Sequence, residues 1–93
     1  MFHITHAHSE HTCPYHKHEL ASETFGRVLP TMESEGVKVV GAYLDAPAHE
    51  LYMIVDADSP EQIQAGLDPI VDQGHVRIQP VVDYAKAVAE RFG

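Results

Sequence analysis

Six of the chain's eight histidines, together with its one cysteine, fall in the sixteen residues from His3 to His18, HITHAHSEHTCPYHKH. Imidazole and thiolate are the side chains that bind borderline and soft transition metals. The first chemistry this stretch suggests is therefore coordination of zinc, copper, nickel or iron. Magnesium and calcium, which prefer oxygen donors, fit it poorly. The histidines sit at positions 3, 6, 8, 11, 16 and 18, unlike the unbroken run of a purification tag. On a strand, His6 and His8 share a face at i, i+2. His11 and Cys13 follow in a loop, and a first helical turn brings Cys13 and His16 together at i, i+3. The expected donor set is thus His6, His8, His11, Cys13 and His16. Glu10 or Glu50 could add a carboxylate, and His49 could reach the site from a neighbouring strand. His3 faces the other way, and His18 is a more distant helical neighbour. The plain alternative is a solvated, His-rich surface segment, because the spacing fits no standard zinc template. An open coordination position would suit catalysis, and a saturated one a carrier or sensor.

Two further groups of residues suggest other chemistry. Cys13-Pro14-Tyr15-His16 resembles the CPYC of glutaredoxins with the second cysteine replaced by histidine. A thiol at a helix N-terminus beside imidazoles is a better nucleophile than a free one. With no resolving cysteine, only a peroxide-sensing or mixed-disulfide role would remain. Later in the chain, His75, Arg77 and Gln79 alternate with Val76 and Ile78. Arg77 is the candidate to hold an anionic substrate group, with Tyr43 or Tyr52 supplying a hydroxyl. Its ordinary alternative is an ion pair with Glu50 or Asp56.

The elements that must position these groups follow from hydrophobic spacing. Phe2 to His8 alternates as a first strand, with Phe2, Ile4, His6 and His8 on one side and His3, Thr5 and Ala7 on the other. Pro14 suits the first position of a helix, along which Ala21, Phe25, Val28, Leu29 and Met32 share a face. Gly36 is its natural stop. Pro30 predicts a kink or break near Gly26 to Pro30. Val37 to Asp45 and His49 to Asp56 read as an antiparallel hairpin closed by Ala46-Pro47-Ala48. Ser59, Pro60 and Gln62 mark a helix start, with Ile63, Leu67, Ile70 and Val71 as its buried stripe and Gly74 as its end. His75 to Val82 is a fourth strand, placed at a sheet edge by Pro80. Asp83 could cap a short last helix, Tyr84 to Phe92, with Tyr84, Val88 and Phe92 along one side. That helix is expected to pack on its own sheet or on a partner subunit.

Ninety-three residues, 44% of them hydrophobic, make one domain spanning 1–93 with a real core. A net charge of -8 argues against nucleic acid or an anionic membrane as partner and favours cations, small molecules or protein. One cysteine allows no internal disulfide. With no long apolar run and a polar start unlike a secretion signal, the expectation is a soluble, cytoplasmic protein.

The predicted order is β-α-β-β-α-β plus a C-terminal helix, an α+β fold of the ferredoxin-like, split βαβ kind. Right-handed crossovers put both long helices on one face of the sheet. In this order over the whole chain, and in the stretch ELYMIVDADSPEQIQAGLDPIVDQGHVRIQPVVD, the sequence resembles the dimeric α/β-barrel superfamily. That superfamily includes small monooxygenases, muconolactone isomerase-like proteins and metal-binding members. The resemblance implies a homodimer of two sheets packed face to face, and a monooxygenase- or isomerase-like pocket inside the barrel as an alternative activity. It supports a fold more than a chemistry.

Overall fold

The computed structural model describes residues 1–8 and 25–92 of the chain. The expectations for Glu10, His11, Cys13, His16 and His18, and for a helix beginning at Pro14, lie outside those residues.

Four strands form one antiparallel sheet: β1 (Phe2–Ala7), β2 (Lys38–Asp45), β3 (Glu50–Asp56) and β4 (His75–Pro80), in the order β2-β3-β1-β4. That order is compatible with a split βαβ arrangement. Alternation along β1 works as the spacing predicts. Ile4 is paired with Met53 of β3 and with Ile78 of β4, and all three face the helices. Thr5, one residue on, is paired with Tyr52 and Arg77 on the other face. β4 lies at one edge, where Pro80 leaves no ladder hydrogen bond unmade. β2 lies at the other, and between Val39 and Gly41 its register shifts by one residue, leaving Val40 as a bulge.

The helical layer is built from shorter pieces than the sequence suggests. A 3-10 turn at Phe25–Arg27 leads into α1 (Val28–Ser34), so Pro30 sits in a first turn, where its missing N–H has no partner to lose. Gly36, at φ 81°, turns the chain out of α1 in a conformation that glycine adopts without strain. α2 (Pro60–Gly66) begins as expected. Gln62 Oε1 accepts the backbone N–H groups of Asp58 at 2.8 Å and Ser59 at 3.3 Å, and its Nε2 donates to the Glu35 carbonyl, tying the helix to the end of α1. α2 does not run on to Gly74. Pro69 cannot donate to a fourth-residue carbonyl, and Asp68–Gln73 winds as a 3-10 segment instead. The tighter winding keeps Leu67 and Ile70 buried but turns Val71 outward, to 56% exposure, which corrects its expected place in the buried stripe.

Ile4, Val28, Met32, Val37, Met53, Val55, Ile63, Leu67 and Ile70 make the core between sheet and helices. The last helix, α3 (Tyr84–Phe92), is capped as expected, with the Lys86 N–H donating to Asp83 Oδ1 at 2.9 Å. It does not pack on its own sheet among the described residues, for Tyr84 is 83% exposed.

Gly74 controls how closely β4 approaches the end of β1. A Cβ built there would fall on the Ala7 carbonyl and lie 3.0 Å from His8 Cα, both of them backbone that a rotamer change cannot clear. Gly74→Ala is expected to cost about 1–3 kcal/mol through overpacking, seen as a lower urea midpoint at unchanged slope. An unchanged midpoint would mean that the strand ends are not held this closely.

Candidate functional site

Where β1 ends, three imidazoles gather on the helix side of the sheet. His6 pairs with Leu51 of β3 and Val76 of β4 and is fully buried, the one buried polar side chain among the described residues. The rings of Phe25 and His6 meet in a T, with centroids 5.3 Å apart at 81°. The His6 Nε2 lies 3.2 Å from the Ile70 carbonyl, which the 3-10 segment delivers over the strand. A carbonyl can only accept, so Nε2 carries the proton and Nδ1 presents a lone pair.

His8, two residues along the same face, has its ring 5.7 Å from that of His6 and 5.2 Å from that of Phe25. Its backbone N–H donates to the His49 carbonyl at 3.0 Å, and the rings of His8 and His49 are 5.4 Å apart at 75°. His49 closes the β2–β3 turn with φ 56°, the left-handed region that non-glycine residues seldom occupy.

Burial is the main influence on the two strand histidines. It lowers the pKa of His6 from 6.5; the hydrogen bond to the Ile70 carbonyl opposes the change, and His75 adds to it. His8 is also lowered, first by burial and then by the charges that His6 and His49 would carry. Both shifts favour the neutral ring, the state that binds metal. The Nδ1 atoms of His6, His8 and His49 are all buried with no hydrogen-bond partner among the described residues. An unsatisfied buried polar atom ordinarily costs about 1–3 kcal/mol, so three in one place call for an explanation.

The arrangement brings together His6 and His8, as the strand spacing predicts, and adds His49. It does not bring in Glu50, which pairs with Ala7 on the opposite face and whose Oε2 accepts the Tyr52 hydroxyl. Glu50 opens β3 on that face, whereas His49, in the turn just before it, carries its ring beside His8. Among the described residues, no three His, Cys, Asp or Glu side chains form a complete metal-holding group. His11, Cys13 and His16 lie outside those residues, as does the CPYH motif. Phe25 and the Ile70 carbonyl had no signature in the sequence, since one is an ordinary apolar residue and the other a main-chain atom.

The opposite face carries the second candidate group. Arg77 is exposed there, level with Thr5, Tyr52 and Tyr43, so both tyrosines share its side. No ion pair joins it to Glu50 or Asp56; the Asp56 carboxylate lies 3.8 Å from the N-terminal amine instead. His3 stacks on Tyr52 with ring centroids 6.3 Å apart at 22°. The hydrogen bond to Glu50, with burial and the nearby acidic charge, pushes the Tyr52 pKa up to about 12 and keeps its hydroxyl protonated.

The model of a family described as Domain of unknown function (DUF3303) matches residues 2–90. No curated protein and no solved structure matches the chain.

Because folding holds His6 and His8 below 6.5, an unfolded chain takes up protons that the folded one refuses as pH drops through that value. Stability is full above about 6.5 and is lost on descending from there toward the lowered folded values. In chelator-treated protein, Tm is expected to hold steady from about pH 8 to 7 and then fall. His6→Leu should flatten part of that fall. A variant profile parallel to that of the wild type would refute the assignment.

Proposed function

The chain belongs to the DUF3303 family, and from the geometry of its own residues we propose that it is a transition-metal-binding protein. Its site begins at His6 and His8 and draws further donors from His11, Cys13 and His16. One observation carries this reading: the buried His6 ring, whose neutral form burial favours, gives its Nε2–H to a backbone carbonyl and leaves a lone pair on Nδ1 that has no partner among the described residues. That is the habit of metal-ligating histidine, whose second nitrogen is usually fixed by a carbonyl or carboxylate. Ring spacing supports it. Two imidazoles bound to one tetrahedral ion at about 2.0–2.1 Å hold their centroids roughly 5–6 Å apart, and those of His6 and His8 are 5.7 Å apart. Nitrogen and sulfur donors select zinc, copper, nickel or iron.

Protein purified without a chelating column should carry near-stoichiometric metal by elemental analysis. His8→Ala and Cys13→Ala should each lose most of it. Metal-free wild type that takes up neither zinc nor nickel on titration would end the proposal.

The open sheet face supports a second part of the reading, a homodimer. Not one of its residues is buried, and Tyr43 is 67% exposed. Its charges are polarised from edge to edge: one row runs Asp45, Glu50, Ala7, His75, and the next runs Tyr43, Tyr52, Thr5, Arg77. A two-fold axis parallel to the strands would lay β2 of one copy over β4 of the other. Asp45 would then oppose His75, and Tyr43 would oppose Arg77, so that acid meets base and ring meets guanidinium. Light scattering should give twice the chain mass for wild type and a monomer for Arg77→Glu. A monomeric wild type at high micromolar concentration would exclude the face-to-face pair.

A further inference from the structure

The His49 ring has no part in the strand pattern that points to His6 and His8, yet it is held beside them at a cost. Its backbone sits at φ 56°, a region a glycine would occupy without strain. Its Nδ1 is buried without a partner, as is that of His8. The two residues are also joined through the main chain, by the His8 N–H on the His49 carbonyl at 3.0 Å. A strained backbone that delivers one unsatisfied ring nitrogen next to a second one is a reason to look for a ligand shared between them.

We propose that His8 and His49 form a two-imidazole clamp for a borderline divalent transition ion, joining the end of β1 to the β2–β3 turn. This rests on the metal-binding reading above and adds to it a ligand from a separate part of the chain. The ring centroids, 5.4 Å apart at 75°, suit two nitrogens meeting on one ion after small rotations about their side-chain bonds. Phe25 lies against His8 on the sheltered side and limits water there. With no complete three-donor group among the described residues, the clamp supplies two donors, and water or other side chains supply the rest.

The clamp also changes what metal does to the fold. An ion that bridges strand and turn closes a loop of some forty residues, from His8 to His49. Loading should therefore stabilise the native state, by about 2.7 kcal/mol at a free metal concentration a hundred times Kd.

The test uses the full-length chain stripped of metal, Zn(II) titrations by calorimetry, Co(II) absorption as a second probe, and thermal melts with and without Zn(II). His49→Gly removes the ring while relaxing the backbone, so the variant should fold at least as stably as wild type without metal. His3→Ala, on the opposite face, is the control. The clamp requires His49→Gly to bind Zn(II) at least about tenfold more weakly, to change the Co(II) spectrum and to lose most of the metal-induced rise in Tm, with His3→Ala unchanged. If wild type binds Zn(II) and His49→Gly binds it equally well with the same Co(II) spectrum, the clamp is wrong while the metal-binding reading stands. If wild type binds neither ion, both fall.

Discussion

A single buried imidazole governs the candidate site. His6 occupies a core position between strands that otherwise present Leu51 and Val76, and its Nε2 donates to a main-chain carbonyl 64 residues away. An apolar side chain would fill that position without any polar atom to satisfy. Keeping a histidine there obliges the neighbouring structure to adapt. The 3-10 segment must aim the Ile70 carbonyl at Nε2, and Phe25 must pack against the ring at a steep angle. The ring is thereby fixed in tautomer and orientation, and its remaining lone pair points where only a donor or a cation could satisfy it.

The two faces of the sheet accordingly do different jobs. The helix face carries the core and, at one end, the buried imidazole of His6 beside the half-buried rings of His8 and His49. The open face carries charge, a tyrosine hydroxyl tied to a carboxylate, and an arginine with no acidic partner among the described residues. Strand alternation separates the two sets within β1, and the left-handed turn at His49 does so at the start of β3, where adjacent residues His49 and Glu50 belong to different chemistries. A site that used both would have to reach around the edge of the sheet.

Much of this was legible in the sequence where periodicity is strong. The alternation of β1 placed His6 and His8 together and His3 apart, and Pro80 marked an edge strand. Asp83 and Gln62 were readable as helix-capping residues because their side chains act within four positions of themselves. What was not legible depended on distance or on the backbone. Pro69 divided an apparently continuous stripe and turned Val71 outward. The Ile70 carbonyl is anonymous in a sequence, because every residue but proline offers the same pair of main-chain groups. The positive φ of His49 had no glycine to announce it. Glu50, a possible carboxylate donor by composition, lies instead on the open face, where it accepts the Tyr52 hydroxyl.

The bulge at Val40 bears on how this protein behaves when crowded. A flat, regular outer strand is a template for another chain, and its growth by lateral addition leads toward fibrils. Here one border of the sheet is wrung out of register by an extra residue beside the charged Lys38, while the opposite border ends in an imino acid that has no hydrogen to offer. Neither rim makes a good template for an incoming strand. Even at high concentration, sideways polymerisation should therefore be disfavoured.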